Sequence, residues 1–181
     1  MIKEATLHIL TAIILFLLGL ALRLLPVIAG DDVLRFLPVL FVSLLAAVLT
    51  NEFFSGLLAL LIPVISWLIG GARGFPEDYV KEALSALAGG LACGVFYRAF
   101  RVTILAFFSG VLLSRFAYGL IAFVLSIVLS KSFTLSDFLR EAFLNEWPGL
   151  VLCLVVLPLL ILLLRKMGIM FMLRDERRVD Q

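Results

Sequence analysis

The sequence has little charge and few residues of the kinds that carry catalysis. Lysine and arginine together number 15 and aspartate and glutamate 13 among 181 residues, with one histidine and two cysteines. His8 has no neighbouring ligand or carboxylate, and Cys93 and Cys153 stand singly inside apolar runs without CxxC or Cys/His spacing. We therefore expect no metal site, and we expect both cysteines to pack as small apolar residues.

Motifs for nucleotide chemistry and nucleic-acid binding are also missing. A GxxxxGK[ST] phosphate loop is absent, so the chain cannot hydrolyse a nucleotide by that machinery. The net charge of +2 is scattered, without the basic stripe that follows a nucleic-acid backbone. Acidic pairs such as Asp31/Asp32 and Glu77/Asp78 fall in connections, where a solvated turn explains them. We expect no enzyme, no cofactor and no nucleic-acid partner.

Apolar residues dominate what is present. The chain is 64% hydrophobic, against roughly 45–50% in a soluble domain, and its mean hydropathy is +1.20. A helix needs about 20 residues to cross a bilayer, and no alternating pattern predicts a barrel. We predict an all-α integral membrane protein, residues 1–181 forming one domain. Its six transmembrane helices, in one bundle, are expected at approximately 5–28, 33–50, 53–71, 80–99, 103–130 and 147–167.

An even number of spans places both termini on one side of the membrane. Basic residues are somewhat more numerous on that side, which predicts that both termini are cytoplasmic. On the outer side, the connection 131–147 has apolar residues recurring at helical spacing from Leu135 to Phe143. We predict there a short amphipathic helix before the last span, either capping the bundle or gating it.

Arg115 is the only charge between Val102 and Ser130, near the middle of a predicted span. An arginine at the bilayer centre costs from roughly 3 to above 10 kcal/mol, so such a residue usually faces the bundle interior or a cavity. One interpretation is a structural lock, in which Arg115 pairs with Glu52, Glu82, Glu146 or a helix-end carbonyl. The other is that it lines a substrate cavity and binds a carboxylate, a phosphate or a polar ring. Both remain open at this point.

Several segments, in order, suggest a family: PVISWLIGG at 63–71 followed by GFPED, LAGGLACGVFYR at 87–98, LLSRFAYGLIA at 112–122 and FLNEWPGLVLCLVVLP at 143–158. Over roughly residues 33–167 the chain resembles the substrate-binding S component of energy-coupling factor (ECF) vitamin transporters. The resemblance is to the branch with pantothenate, hydroxymethylpyrimidine and folate carriers. It implies high-affinity capture of a vitamin or precursor at the outer face of a bacterial inner membrane. It also implies partners: a transmembrane scaffold subunit and two ATPase subunits, which hydrolyse the ATP.

The resemblance also implies site residues. Arg115 and Tyr118 match the arginine and aromatic of the family's fifth helix, and Asn145 matches the entry to the sixth, as does Pro148. Ser66 and Trp67 match the outer end of the third helix. This chain departs from the family in two places. The first helix shows no clean AxxxA pattern, and Ser85 stands where relatives carry a glutamate, with Glu82 one turn earlier.

Further predictions concern the mouth of the site and its ligand. We predict a gating loop at Phe75, Pro76 and Tyr79, and ring-stacking surfaces at Trp67, Phe75, Tyr79 and Tyr118. An unpaired Arg115 favours an acidic ligand, whereas a pair with Glu82 leaves a neutral site suited to a pyrimidine. The alternative function is an MreD-like membrane scaffold of the cell-elongation machinery, and a channel or transporter working alone is a third.

Overall fold

A computed structural model describes residues 2–24, 37–69 and 77–166, and within these ranges it contains helices and no strand. The predicted gating residues Phe75 and Pro76 lie outside the described residues. The α-helices in chain order are α1 (Ile2–Leu24), α2 (Pro38–Leu49), α3 (Glu52–Ile69), α4 (Glu77–Phe100), α5 (Thr103–Val128), α6 (Leu135–Leu139), α7 (Trp147–Val151) and α8 (Leu157–Lys166). A π-helical turn (Arg140–Leu144) follows α6, and another (Leu152–Val156) joins α7 to α8.

Five helical segments are long and apolar enough to cross a membrane: Thr6–Leu24, Glu52–Ile69, Glu77–Phe100, Thr103–Val128 and Trp147–Leu164. Their outward surfaces are apolar, as at Ile14, Phe116 and Leu159, each more than half exposed. A soluble monomer rarely exposes such continuous apolar surface, whereas a membrane protein turns it toward lipid. The all-helical architecture with several apolar helices fits a multi-pass membrane protein.

Helix α2 forms the centre of the bundle. Apart from Ser43 it is apolar around its circumference, and its residues from Pro38 to Val48 are buried except for Phe41. A helix that is hydrophobic on every side is expected to be enclosed by other helices. At 1.5 Å per residue its 12 residues measure about 18 Å, short of the roughly 30 Å hydrocarbon core. The predicted span at 33–50 is therefore described only as this short core helix.

The helices alternate in direction. Arg23 near the end of α1 lies beside Glu82 near the start of α4, and Arg98 near the end of α4 pairs with Glu52 at the start of α3. The first pair marks one end of the bundle and the second marks the opposite end. Arg98 is largely exposed, so this second pair is a surface contact.

Close packing of α4 against α5 depends on small residues. A Cβ placed on Gly89 would come within 2.8 Å of the Gly110 carbonyl oxygen and of the Ser114 Cβ. Glycine at this position lets the two backbones approach, which is the usual way that membrane helices pack. The contact holds α5 so that Ser114 and Arg115 point into the bundle, where both are buried.

Residues 131–146, here called the cap segment, fold over the end of the bundle that contains Arg23 and Glu82. Its structure is the five-residue α6 and the π-helical turn, with Ala142 buried while Leu135 and Leu139 are exposed. A single amphipathic helix covering this segment therefore stays a prediction.

Candidate functional site

A cavity of about 210 Å³ lies at the end of the bundle covered by the cap segment. It is formed where the end of α1, the starts of α2 and α4, the middle of α5 and the end of the cap segment meet. Its lining residues are Arg23, Leu37, Leu40, Asp78, Glu82, Ser85, Arg115, Tyr118 and Glu146. Ionisable side chains from four parts of the chain thus meet in one place, although α2 contributes only apolar side chains.

Arg115 is the most deeply buried charged residue of this site, with 2% of its surface exposed. It stands near the middle of α5, about 18–20 Å from either end of that helix at 1.5 Å per residue. Its Nη1 pairs with the Glu146 carboxylate and also donates to the Ala142 carbonyl oxygen at 3.3 Å. Its Nε donates to the Ser114 hydroxyl at 3.3 Å. The guanidinium is therefore charge-compensated inside the bundle.

Glu146 immediately precedes α7, and it pairs with Arg115 near the middle of α5. The start of α7 therefore lies beside the middle of α5. The part of α5 beyond Arg115 extends past that point, and the cap segment packs against this extension. Tyr118 donates from its hydroxyl to Glu141 at 3.0 Å, and Lys131 donates from its backbone N–H to the Ser126 carbonyl oxygen at 2.9 Å. The cap segment and the part of α5 from Arg115 to Val128 thereby form one side of the cavity.

A close aromatic contact also joins the cap segment to α5. A Cβ on Gly119 would approach the Phe138 ring to within 2.5 Å, so the absence of a side chain at Gly119 is what lets the ring pack against the helix. Phe143 meets the same ring edge-on, with centroids 5.8 Å apart. Gly119 thus admits an aromatic ring from the cap segment.

A second arginine–glutamate pair lies across the cavity. Arg23 Nε is 2.9 Å from Glu82 Oε2, although the Nε–H makes no hydrogen bond to any described residue and the contact is electrostatic. The guanidinium carbon of Arg23 stands 4.6 Å from the centre of the Tyr79 ring, within cation–π range. Tyr79 thus contacts Arg23 and is not itself one of the lining residues.

A chain of ion pairs lies at the start of α4 and includes the lining residue Asp78. Lys81 Nζ is 3.0 Å from Asp78 Oδ1 and 3.3 Å from Glu77 Oε1, and Lys131 Nζ is 2.6 Å from Glu77 Oε2. Lys81 is buried although it lies near the start of α4, whereas the Asp78 side chain is 86% exposed. The Glu77–Lys131 bond ties α4 to the beginning of the cap segment.

The start of α6 is stabilised by a capping box. The Thr134 hydroxyl donates to Asp137 Oδ2 at 2.7 Å and the Thr134 backbone N–H donates to the same oxygen at 2.9 Å, while the Asp137 N–H donates back to the hydroxyl at 3.3 Å. These bonds favour the ionised carboxylate, so they lower the pKa of Asp137 below its ordinary value. The box orders the exposed end of the cap segment.

The structure brings together three of the residues proposed from sequence for substrate binding: Arg115, Tyr118 and Glu82. The others lie apart from the cavity lining. Ser66 is buried and donates within α3 to the Pro63 carbonyl oxygen at 2.9 Å, Trp67 is half-buried on the same helix, and Asn145 is exposed beside Glu146. Their roles in binding stay predictions.

Arg23 lies within the predicted span 5–28 and Asp78 in a predicted connection, and neither is among the site residues predicted from sequence. Leu37, Leu40 and Ser85 were also not assigned to it, and Glu146 was considered only as a structural partner for Arg115. The spacing of Glu82 and Ser85 indicates that both side chains lie on the same face of α4, since residues three apart share a helix face. For Arg23 the signal was an arginine in the last turn of an apolar helix.

Comparisons with known proteins found no matching family model, no matching curated protein and no matching solved structure.

Proposed function

We propose that this chain is the substrate-binding subunit, or S component, of an ECF-type vitamin importer. The observation that carries the proposal is the cavity at one end of an apolar helical bundle, lined by two buried arginines and the Tyr118 ring. Small-molecule sites are concave, with a few charged groups set among apolar walls, and those between the helices of a bundle are common. The cap segment packed beside this cavity is suited to control entry.

The proposal includes the six membrane spans predicted from sequence, the second at approximately 33–50, and places both termini in the cytoplasm. The cavity end then faces outward and captures a vitamin or precursor there. Single cysteines at Ser132 and at Arg101, which are exposed at opposite ends of the bundle, provide a test. A membrane-impermeant maleimide on intact cells should label S132C and not R101C, because only the cavity end faces outward in the proposed topology. The native Cys93 and Cys153 are buried and should not react. Labelling of R101C alone would reverse the orientation.

In the proposed importer, energy comes from separate chains. The partners are a transmembrane scaffold subunit and two ATPase subunits, in line with the absence of a phosphate loop from the sequence. A tagged chain expressed in its own host should retain these three subunits after mild detergent extraction. Wall-synthesis proteins in their place would indicate the scaffold function.

Retention of a small molecule tests the binding function directly. The purified protein is denatured and its released compounds are identified by mass spectrometry, beside Arg115→Ala and a matched control, Arg98→Ala. Both substitutions remove an arginine paired with a glutamate, but Arg98 lies at the other end of the bundle and is largely exposed. A vitamin-like compound should be present in the parent and the control and absent from Arg115→Ala.

A membrane scaffold of the MreD type is the second candidate. The observation in its favour is that Arg115 makes hydrogen bonds to Glu146, Ala142 and Ser114, as a structural lock would. A scaffold predicts no retained compound in any of the three preparations. It also predicts that Arg115→Ala changes stability alone.

A further inference from the structure

Two arginines and one glutamate lie at the turn between α4 and α5, at the opposite end of the bundle from the cavity. Arg98, in the last turn of α4, pairs through Nη2 with Glu52 at the start of α3, yet its side chain stays 56% exposed. Arg101 lies three residues later, is also exposed, and has no ion-pair partner among the residues that the structure describes. Within the described part of the chain, the turn therefore carries an uncompensated positive charge.

The backbone at Arg101 adopts the left-handed conformation, with φ at 55°. Its N–H donates to the Tyr97 carbonyl oxygen at 2.9 Å and so ends α4, and α5 begins two residues later, at Thr103. This conformation is common after a helix, but glycine or asparagine usually occupies it because a Cβ is unfavourable there. The reason for an arginine at this position is therefore in its side chain rather than in the backbone.

Exposed phenylalanine rings lie beside these arginines. Phe53 directly follows Glu52 on α3 and is 69% exposed. Phe100 directly precedes Arg101, and its exposed ring packs against Phe96 with centroids 5.6 Å apart. At the end of a membrane span, an arginine extends its apolar stem along such a surface and keeps its charged head in the polar headgroup layer. The two guanidinium groups are therefore expected at the level of the lipid phosphates.

The apolar surface continues from these rings toward the middle of the bundle. Leu57, one turn after Phe53 on α3, is exposed, as are Leu91 and Val95 on α4. The two helices pack closely here, since the Leu91 side chain lies 3.9 Å from where a Cβ on Gly56 would stand. A lipid whose phosphate lies at the arginines would thus place its acyl chains against apolar side chains of both helices.

The chemistry of the turn favours the phosphate of an anionic lipid. The planar fork of N–H donors in arginine matches two phosphate oxygens. Glu52 binds Nη2 of Arg98, and the Nε and Nη1 of Arg98 make no hydrogen bond with a described residue. A zwitterionic phospholipid carries a cationic amine next to its phosphate, which two arginines would repel. An anionic phospholipid has no such uncompensated conflict, so it is the preferred occupant.

We propose that the turn between α4 and α5 binds one anionic phospholipid, with its phosphate held by Arg98 and Arg101 and its acyl chains against the Phe53 and Phe100 rings. The site lies at the far end of the bundle from the cavity and needs no bound vitamin, so it goes beyond the proposed function and does not depend on it. In the proposed topology this lipid belongs to the cytoplasmic leaflet. Because the lipid binds the folded chain, it also stabilises that chain against unfolding.

Native mass spectrometry of the purified full chain in detergent tests the site. Phosphatidylglycerol and phosphatidylcholine with identical acyl chains are added separately, and the population with one bound lipid is measured at each concentration. The first phosphatidylglycerol should bind at least about tenfold more tightly than phosphatidylcholine, because each arginine near an anionic lipid surface contributes about fivefold in affinity and Glu52 offsets part of the total. Excess inorganic phosphate should leave this preference in place, since it has no acyl chains.

Variants of the turn test where the lipid binds. Arg101→Gly removes the side chain at a position whose backbone conformation glycine adopts readily, so this variant keeps the fold and should melt no lower than the parent without added lipid. Its affinity for phosphatidylglycerol should fall about fivefold while that for phosphatidylcholine is unchanged. Combining Arg101→Gly with Arg98→Ala should remove the preference. The matched control is Arg140→Ala, because Arg140 is an exposed arginine at the cavity end that has no ion pair with a described residue; it should leave the preference unchanged.

Three results would overturn the proposal. Equal affinity of the parent chain for the two lipids would show that the turn does not select an anionic headgroup. An equal loss in Arg101→Gly and Arg140→Ala would show a general attraction of anionic lipids to the protein rather than a site. Displacement of the lipid by inorganic phosphate would show that the turn takes a free anion. The vitamin-binding function is tested separately, by the retained compound.

Discussion

Removing Glu146 should destabilise the protein far more than removing an equivalent glutamate at the surface. Glu146→Gln leaves the Arg115 guanidinium, 2% exposed, without its counter-charge in the bundle interior. Loss of one partner of a buried ion pair costs about 3–5 kcal/mol, because the remaining charge stays desolvated. For a chain of this length 1 kcal/mol corresponds to about 2–4 °C in the melting temperature. The expected loss is therefore about 6–20 °C.

The matched control is Glu52→Gln, which breaks the pair with the largely exposed Arg98. Exposed pairs contribute about 0–1 kcal/mol, so this variant should melt within about 4 °C of the parent. Unfolding is followed in detergent by the intrinsic fluorescence of Trp67 and Trp147. A loss in Glu146→Gln no greater than in the control would refute the view that this pair stabilises the bundle.

A double-mutant cycle isolates the pair itself. Arg115→Met alone leaves Glu146 without a counter-charge, but combined with Glu146→Gln it removes both charges. The double variant should recover at least about 1 kcal/mol relative to the sum of the single losses, since residues in one ion pair couple by roughly 0.5–3 kcal/mol. Additive losses would show that Arg115 is satisfied by the Ala142 carbonyl and Ser114 hydroxyl alone.

Three further predictions concern other contacts. Gly89→Ala should destabilise by about 1–3 kcal/mol through overpacking against the Gly110 backbone, whereas Gly56→Ala meets only the ends of the Leu87 and Leu91 side chains and should cost less; thermal unfolding compares them. Gly119→Val should displace the Phe138 ring and speed proteolytic cleavage within residues 131–146, with the exposed Leu120→Val as control. The capping box should weaken on acidification, because a lowered aspartate pKa gives stability that is present above the ordinary pKa and lost as pH falls through the lowered one. Hydrogen exchange of the α6 amides should show this loss in the parent and no such pH dependence in Asp137→Asn.

Hydropathy predicts most of the helices in this chain, because a bilayer-length apolar run has few alternatives to a helix. The predicted spans at 53–71, 80–99 and 103–130 correspond closely to α3, α4 and α5. Helix α2 is harder to predict, since its apolar run looks the same from the sequence whether it faces lipid or the protein core. Its burial follows from the arrangement of the other helices around it.

In the candidate site, too, residues that share one helix can be predicted from sequence, whereas contacts between helices cannot. Arg115 and Tyr118 are recognisable from sequence because they share a helix face inside an apolar run. The ion-pair partner of Arg115 is not recognisable from sequence, since Glu52, Glu82 and Glu146 are equivalent candidates until the positions of the helices are known. Because the helices alternate in direction, Glu52 lies at the opposite end of the bundle, where it pairs with Arg98. Glu82 pairs with Arg23, and Glu146 is the glutamate that pairs with Arg115.

The location of the two ion pairs bears on why the chain contains them. Replacing a buried pair by apolar side chains of similar volume is often neutral or stabilising, so packing alone is a weak reason to keep one. Deeply buried core positions such as Leu157 and Ile161 are indeed apolar here. Both Arg115–Glu146 and Arg23–Glu82 instead border the cavity, and all four residues line it. A pure lock would need no cavity beside it, and this juxtaposition favours the binding function over the scaffold.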